Sequence, residues 1–327
     1  MDSHIAGSVP RLHAITRNPV PSGATVGMFP GFDGTQLRFA IWQPSQRPRR
    51  GTVCLFSGRT ECIEKYFEVV ADLRRRGFAV ATMDWRGQGG SQRLLSNARK
   101  GHVANFADYD RDLIRFMRDV VLPDCPPPYY ALAHSMGGNI LLRAATDPGS
   151  WFERMILCAP MVDLHPGGLP FPPGVVRSTM AAASLLGMGR LYPPGQGDSS
   201  WQDTPFEDNV LTSSQERYAR NEAILEEAPD LRIAAPTVGW LQAAFRSMAK
   251  VTSDRFIGSV RVPLLLIAAG DDKVVSSTAI EDLSVQLKVG AHIVIPHARH
   301  EILQERDEIR QQFWAAFDAY VGVNSDI

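Results

Sequence analysis

The sequence predicts an α/β protein: a mostly parallel central sheet flanked by helices, with a helical cap inserted between two late strands. Three observations predict it. Short apolar runs such as T-V-C-L-F (52–56) and V-P-L-L-L-I-A (262–268) show no polar alternation, as expected for strands covered by helices on both faces. These runs alternate with stretches of helical periodicity. Finally, the stretch 129–139, Y-Y-A-L-A-H-S-M-G-G-N, stops an apolar run at His134-Ser135 and restarts as a helical pattern at Ile140. That reads as strand, tight turn and helix with a serine at the apex.

In chain order, residues 1–23 are polar, carry prolines at 10, 19 and 21, and read as a flexible arm. Residues 25–29 and 36–42 form a hairpin signal around Pro30-Gly31-Phe32-Asp33-Gly34. The strand at 52–56 runs into Ser57-Gly58-Arg59-Thr60-Glu61 and a helix over 63–76. The strand at 78–83 ends in the glycine-rich loop 84–91, and a helix over 106–122 carries Leu113, Phe116, Met117 and Val120 at helical spacing. The serine turn follows, then strands at 155–159, 262–268 and 292–295 and a terminal helix over 301–321. Residues 160–259 break the alternation, because about a hundred residues are too many for a simple connection. Helical patterns at 178–186, 213–227 and 238–251 make this segment a cap, leaving 24–159 and 260–327 as the core.

Composition narrows the function. A hydrophobic content of 44%, 21% charged residues and a formal net charge of -1 describe an ordinary globular protein without the cationic excess that nucleic acid demands. The four cysteines have no metal spacing and imply no disulfide framework, which fits a reducing compartment. Without a secretory pattern at the N-terminus or an apolar run near the roughly 18 residues that span a bilayer, the expected location is cytoplasmic. No metal cluster or dinucleotide fingerprint appears, so no cofactor is expected.

A serine at a strand–helix apex is either an N-cap or a nucleophile. As a nucleophile Ser135 requires a base and an orienting acid. Candidate acids, Asp271 and Asp272, follow the 262–268 strand, and candidate bases, His297 and His300, follow the last strand. His134, His102, His165 and His292 read as packing or surface residues.

Five motifs in order, S-G-R-T-E-x-x-x-K-Y, D-W-R-G-Q-G-G-S, A-H-S-M-G-G, G-D-D-K-V-V and H-A-R-H-E, resemble those of the α/β-hydrolase fold. More closely, they resemble the bacterial lysophospholipase and monoacylglycerol-lipase branch. Ala133 stands where the elbow usually has its first glycine. The resemblance implies Ser135 as nucleophile, Asp272 as acid and His300 as base, with the backbone N–H groups of Arg59 and Met136 as oxyanion hole. Arg59 departs from the small residue many relatives carry. Its side chain is read as a phosphate contact, a partner of Glu61 or a plain surface arginine.

The resemblance implies a serine hydrolase of carboxylic esters of lipids, lysophospholipid or monoacylglycerol, acting through an acyl-enzyme. The alternatives are a proline-releasing aminopeptidase, with acids such as Glu207, Asp208, Glu216, Glu222, Glu226 and Glu227 holding a free amine, or a non-catalytic binding protein on the same scaffold. In the cap, Trp240, Leu241 and Phe245, with Ala244 and Met248, are expected to line an acyl pocket or to pack on the core. The apolar stretch 178–186 is expected either to touch a membrane surface transiently or to pack on the core. The expected partner is a small lipid ester, with no nucleic acid.

Overall fold

Eight strands form one sheet in the order β1-β2-β4-β3-β5-β6-β7-β8 in the computed structural model. It describes residues 10–168, 171–199 and 204–323. The hairpin β1 (Ala24–Pro30) and β2 (Gln36–Trp42) pairs antiparallel, and β2 joins β4 (Ala79–Met83) antiparallel. From β4 onward the sheet is parallel through β3 (Thr52–Phe56), β5 (Tyr129–His134), β6 (Phe152–Cys158), β7 (Leu264–Ala269) and β8 (Gly290–Ile295). Every residue of β3, β4 and β7 is buried, which is why those segments are apolar throughout. Parallel pairing also places the loops after β3, β4, β5, β7 and β8 on one edge of the sheet. That edge is where open α/β sheets hold their ligands.

The core helices are α1 (Phe67–Arg75), α2 (Ala107–Phe116), the short α3 (Leu122–Asp124) and α4 (Met136–Ala144). The expected helix over 106–122 is one rod with a π-helical turn at Met117–Val121 between α2 and α3. Between β6 and β7 lie α5 (Pro173–Leu185), α6 (Gln215–Glu227), α7 (Val238–Val251) and α8 (Asp254–Ile257). The chain closes with α9 (Ser277–Gln286) and α10 (Asp307–Val321), the latter preceded by a 3₁₀ turn at Ile302–Gln304. Sequence reading missed α9, although Ser276 caps it by accepting from the Ala279 amide and Ile280 and Leu283 recur on its buried face.

Two features revise the expected organisation. From residue 10 on, the arm is laid on the core. The Asn18 side chain donates to Glu64 O at 2.9 Å, Trp42 Nε1 donates to Pro21 O at 2.9 Å, and Ile15 packs beside Cys62, Ile224, Leu225 and Leu231. Residues 1–9 of the arm lie outside the described residues. The segment between β6 and β7 also reaches beyond the strand ends. Arg217 and Arg220 of α6 meet Glu68 of α1 at 2.6 and 2.7 Å, and Arg310 of α10 meets the same carboxylate at 2.6 Å.

Candidate active site

Ser135 sits at the junction of β5 and α4 with φ 49° and ψ -112°, a strained conformation that lifts its side chain off the sheet edge. The turn closes only because small residues surround it. A Cβ at Gly137 would fall 2.7 Å from Ser57 O and 2.9 Å from Phe56 O, and one at Gly58 would fall 3.2 Å from Ser135 Cβ. Ser135 Oγ lies 3.0 Å from His300 Nε2, and His300 Nδ1 lies 2.8 Å from Asp272 Oδ2. All three residues are buried.

Asp272 Oδ1 accepts from the Val274 and Val275 amides at 2.7 and 3.0 Å, which fixes its orientation. Burial alone would raise this carboxyl. The charge and hydrogen bond of His300, with those two amides, hold it below the ordinary carboxylate range instead. The neighbouring Asp271 is exposed and faces the exposed His297 at 3.8 Å. The geometry therefore brings together Ser135, Asp272 and His300 out of the candidates, and leaves Asp271, His297 and His292 outside. His292 meets Ser284 Oγ at 2.6 Å on the β8 edge, and His102 meets Thr237 Oγ1 at 2.8 Å.

Met136 is the first residue of α4, so its N–H has no acceptor within the helix. Arg59 lies on the loop after β3, across from the serine turn. Among the described residues no acceptor takes either N–H. Neither amide is spent on an internal hydrogen bond, which leaves both free to donate, as an oxyanion-binding pair requires.

A buried polar network supports this loop; sequence reading took His134 as a packing residue and Glu61 as a possible partner of Arg59, and did not join them. Glu61 Oε2 accepts from the Gly58 amide and from Tyr66 OH at 2.6 Å. Glu61 Oε1 accepts from Lys65 Nζ at 2.9 Å, and Lys65 also meets Glu301. His134 Nδ1 stands 3.1 Å from Glu61, and its Nε2 stands 3.1 Å from the backbone O of His300. One carboxylate therefore braces the Gly58-Arg59 loop and, through His134, the backbone of the triad histidine. Burial alone would raise the Glu61 carboxyl, but Lys65 and His134 hold it well below its ordinary value. Burial alone would lower His134, but Glu61 raises it. The signal was present in S-G-R-T-E-x-x-x-K-Y, where Glu61 and Lys65 stand at i,i+4.

The α7 helix packs beside α4. Trp240, Ala244, Phe245 and Met248 are buried, and Leu241 is half-buried. The Trp240 ring lies 5.8 Å from that of Phe106, and Ser247 Oγ donates to Asn139 Oδ1 of α4 at 2.6 Å. The α7 helix is thus anchored directly to α4, the helix that follows Ser135. A cavity of about 240 Å³ opens between Val162, Met248, Ile257 and Leu283, away from the triad residues. The surface-arginine and Glu61-pair readings of Arg59 do not hold. Its guanidinium donates to Ala234 O, lies 5.2 Å over Trp240, and keeps a fully buried Nε. The stretch 178–186 does not bury its leucines against the core either. Leu185 is 85% and Leu186 77% exposed, whereas Met180 on the opposite face is buried.

A family model described as serine aminopeptidase, S33 matches residues 47–307. Lysophospholipase L2 of Escherichia coli (strain K12) is 33% identical over 297 residues, which cover 86% of this chain and 83% of that protein. The monoacylglycerol lipase of Mycolicibacterium smegmatis is 26% identical over 282 residues, covering 86% and 91%. Among solved structures, a thermostable carboxyl esterase from Bacillus coagulans in complex with glycerol superposes with a TM-score of 0.72 at 21% identity, covering 92% of this chain and 99% of that one. This last likeness is one of fold, an α/β hydrolase.

Proposed function

The chain belongs to the family described as serine aminopeptidase, S33, and from that premise we propose the following action for it as a serine carboxylic-ester hydrolase of lipids. His300 Nε2 takes the Ser135 proton as Oγ attacks the ester carbonyl, and Asp272 holds His300 in the tautomer that presents Nε2 as acceptor. The amides of Arg59 and Met136 stabilise the tetrahedral oxyanion, each worth on the order of 3 kcal/mol. The alcohol leaves with the proton from His300. Water activated by the same imidazole then releases the fatty acid. The observation that carries this reading is the continuous chain from Ser135 Oγ through His300 to Asp272, at 3.0 and 2.8 Å.

Lipid as the acyl donor is supported by the names of the curated relatives and by the segment over the sheet edge. Phe171, Val175, Leu185, Leu186 and Leu191 are exposed there, an apolar surface suited to transient contact with a membrane. Among the described residues no helix is long and apolar enough to cross one. The aminopeptidase alternative needs acids gathered at the site. Glu207, Asp208, Glu216, Glu226 and Glu227 instead face solvent.

The test is a hydrolysis screen of lysophospholipids, monoacylglycerols, short p-nitrophenyl esters and proline amides. Lipid esters are expected to turn over, and Ser135→Ala is expected to reduce kcat by about 10⁴-fold or more. Turnover of proline amides alone would overturn the reading. Co-sedimentation with anionic vesicles, weakened by Leu185→Glu, is the companion measurement for the membrane contact; binding unaltered by that substitution would remove it.

A further inference from the structure

We infer that the Arg59 guanidinium, with a rim of Arg99, Lys100 and Arg190, is a recognition site for the phosphate of a lysophospholipid headgroup. This inference rests on the lipid-ester reading and narrows its substrate class.

Arg59 occupies two places at once. Its amide is the proposed oxyanion donor, on a loop whose Gly58 lies against Ser135, while its side chain reaches the segment between β6 and β7. There it donates to Ala234 O, lies over Trp240, and presses on Gly101, where an added Cβ would fall 2.8 Å from Nη2. Among the described residues no carboxylate lies within ion-pair distance of it, and the buried Nε has no hydrogen-bond partner. Burial pulls its pKa down to about 10, with only Tyr109 and Tyr192 opposing that pull. A half-buried cation whose Nε is fully enclosed and which has no counter-ion is costly to maintain, and an arriving anion relieves that cost.

The surroundings repeat the sign. Lys100 Nζ lies 4.9 Å over the Tyr192 ring and donates to Arg190 O at 3.0 Å, and Arg99 Nη2 donates to Asp198 O at 3.1 Å. Burial lowers the pKa of His102, and the positive fields of Arg190 and Lys100 add to that effect. The carboxylate nearby, Asp198, is held by Tyr192 OH at 2.6 Å and Asn97 Nδ2 at 3.1 Å. A guanidinium presents a planar fork that matches phosphate oxygens. Because one residue supplies both the oxyanion amide and this fork, the two are a single side-chain length apart. A monoacylglycerol offers the fork only neutral hydroxyls and no anion to match its charge.

The experiment compares 1-lauroyl-sn-glycero-3-phosphocholine with 1-lauroylglycerol, which share one acyl chain. The quantity read is the ratio of their kcat/KM values, because any disturbance of the oxyanion amide lowers both alike. Arg59→Gln is expected to lower the ratio by about tenfold or more, and Arg59→Lys by less, because it keeps charge but not the fork. Lys100→Ala is expected to lower it about two- to threefold, the scale of a solvent-exposed charge. An unchanged ratio in Arg59→Gln, including equal loss on both esters, would show that the guanidinium only pins Ala234 and Trp240.

A second arm uses the wild-type protein, so it does not depend on any variant folding. Glycerol 3-phosphate should inhibit p-nitrophenyl butyrate hydrolysis competitively, and glycerol should not. Inhibition by inorganic phosphate of equal strength would assign the site to free phosphate and overturn the headgroup. No inhibition by glycerol 3-phosphate would overturn the site altogether. Hydrolysis of 1-lauroylglycerol but not of the phosphocholine ester sinks this inference and spares the lipid-ester reading. Hydrolysis of neither lipid sinks both.

Discussion

Arg38 and Arg59 both carry buried guanidinium nitrogens, on strand β2 and on the loop after β3, and their surroundings differ in kind. Arg38 is enclosed by acids. Its Nη1 and Nη2 meet Glu64 at 2.7 Å each, its Nε meets Asp84 at 2.7 Å, and Nη1 also donates to Arg11 O at 2.8 Å. Burial alone would lower its pKa, but Asp84 and Glu64 raise it above the ordinary arginine value. Arg59 has one carbonyl and an aromatic face, and burial wins. The first arrangement is complete within the protein, and so is structural: it ties the arm, β2, the turn before α1 and the loop after β4. The second is incomplete, and it belongs to the loop after β3 whose Gly58 lies against Ser135. Complete and incomplete buried charge thus separate framework from site.

The largest expected effect is on the complete cluster. Arg38→Met leaves Glu64 and Asp84 as uncompensated buried acids and should cost about 3–5 kcal/mol in urea unfolding. A loss under 1 kcal/mol would mean that the cluster contributes no more than an exposed pair and is not a framework element.

A smaller effect is expected at Glu68, which gathers Arg217, Arg220 and Arg310. Burial opposes ionisation there, but those arginines bring its pKa from 4.5 down to about 2. A carboxyl lowered in the folded state stabilises that state above its unfolded pKa, and the contribution disappears as pH falls through the folded value. Glu68→Gln should therefore cost about 2 kcal/mol at pH 7, discounted for its partial exposure. The gap from wild type should close between pH 4.5 and about 2. A gap independent of pH would mean that shape, not charge, holds α6 to α1 and α10.

Much of the framework was legible because it is local. The strands at 36–42 and 52–56 and the helix at 238–251 coincide with β2, β3 and α7, since apolar runs and helical spacing write themselves into adjacent residues. Strand-end loops left Asp271 and Asp272, and His297 and His300, as alternatives beside Ser135, and the choice of Asp272 and His300 came from the resemblance to the family's motifs. Burial, which composition does not encode, is what separates Asp272 from Asp271. The network of Glu61, His134 and Glu301 was not legible. Its members stand 73 and 236 positions from Glu61 and Lys65 respectively, and only the parallel sheet brings their loops to one edge. Arg59 escaped for the same reason: its surroundings come from residues 101, 234 and 240.

The smallest effect is expected at Arg59 itself. Arg59→Met removes a hydrogen bond to Ala234 O and a cation over Trp240, and together these should cost on the order of 1–2 kcal/mol. It also removes a desolvated charge that has no acid to orphan, and a methionine of similar reach retains the contact with the indole. The two contributions oppose, so the change in unfolding free energy should stay within about 1 kcal/mol of zero. Urea unfolding at pH 7 measures it, with Arg38→Met alongside. Adding glycerol 3-phosphate then separates the causes. The ligand should raise the midpoint of wild type and leave Arg59→Met unmoved, because only the folded wild type offers the fork. A loss of 3 kcal/mol or more in Arg59→Met would make Arg59 a framework residue like Arg38, completed by contacts of another kind.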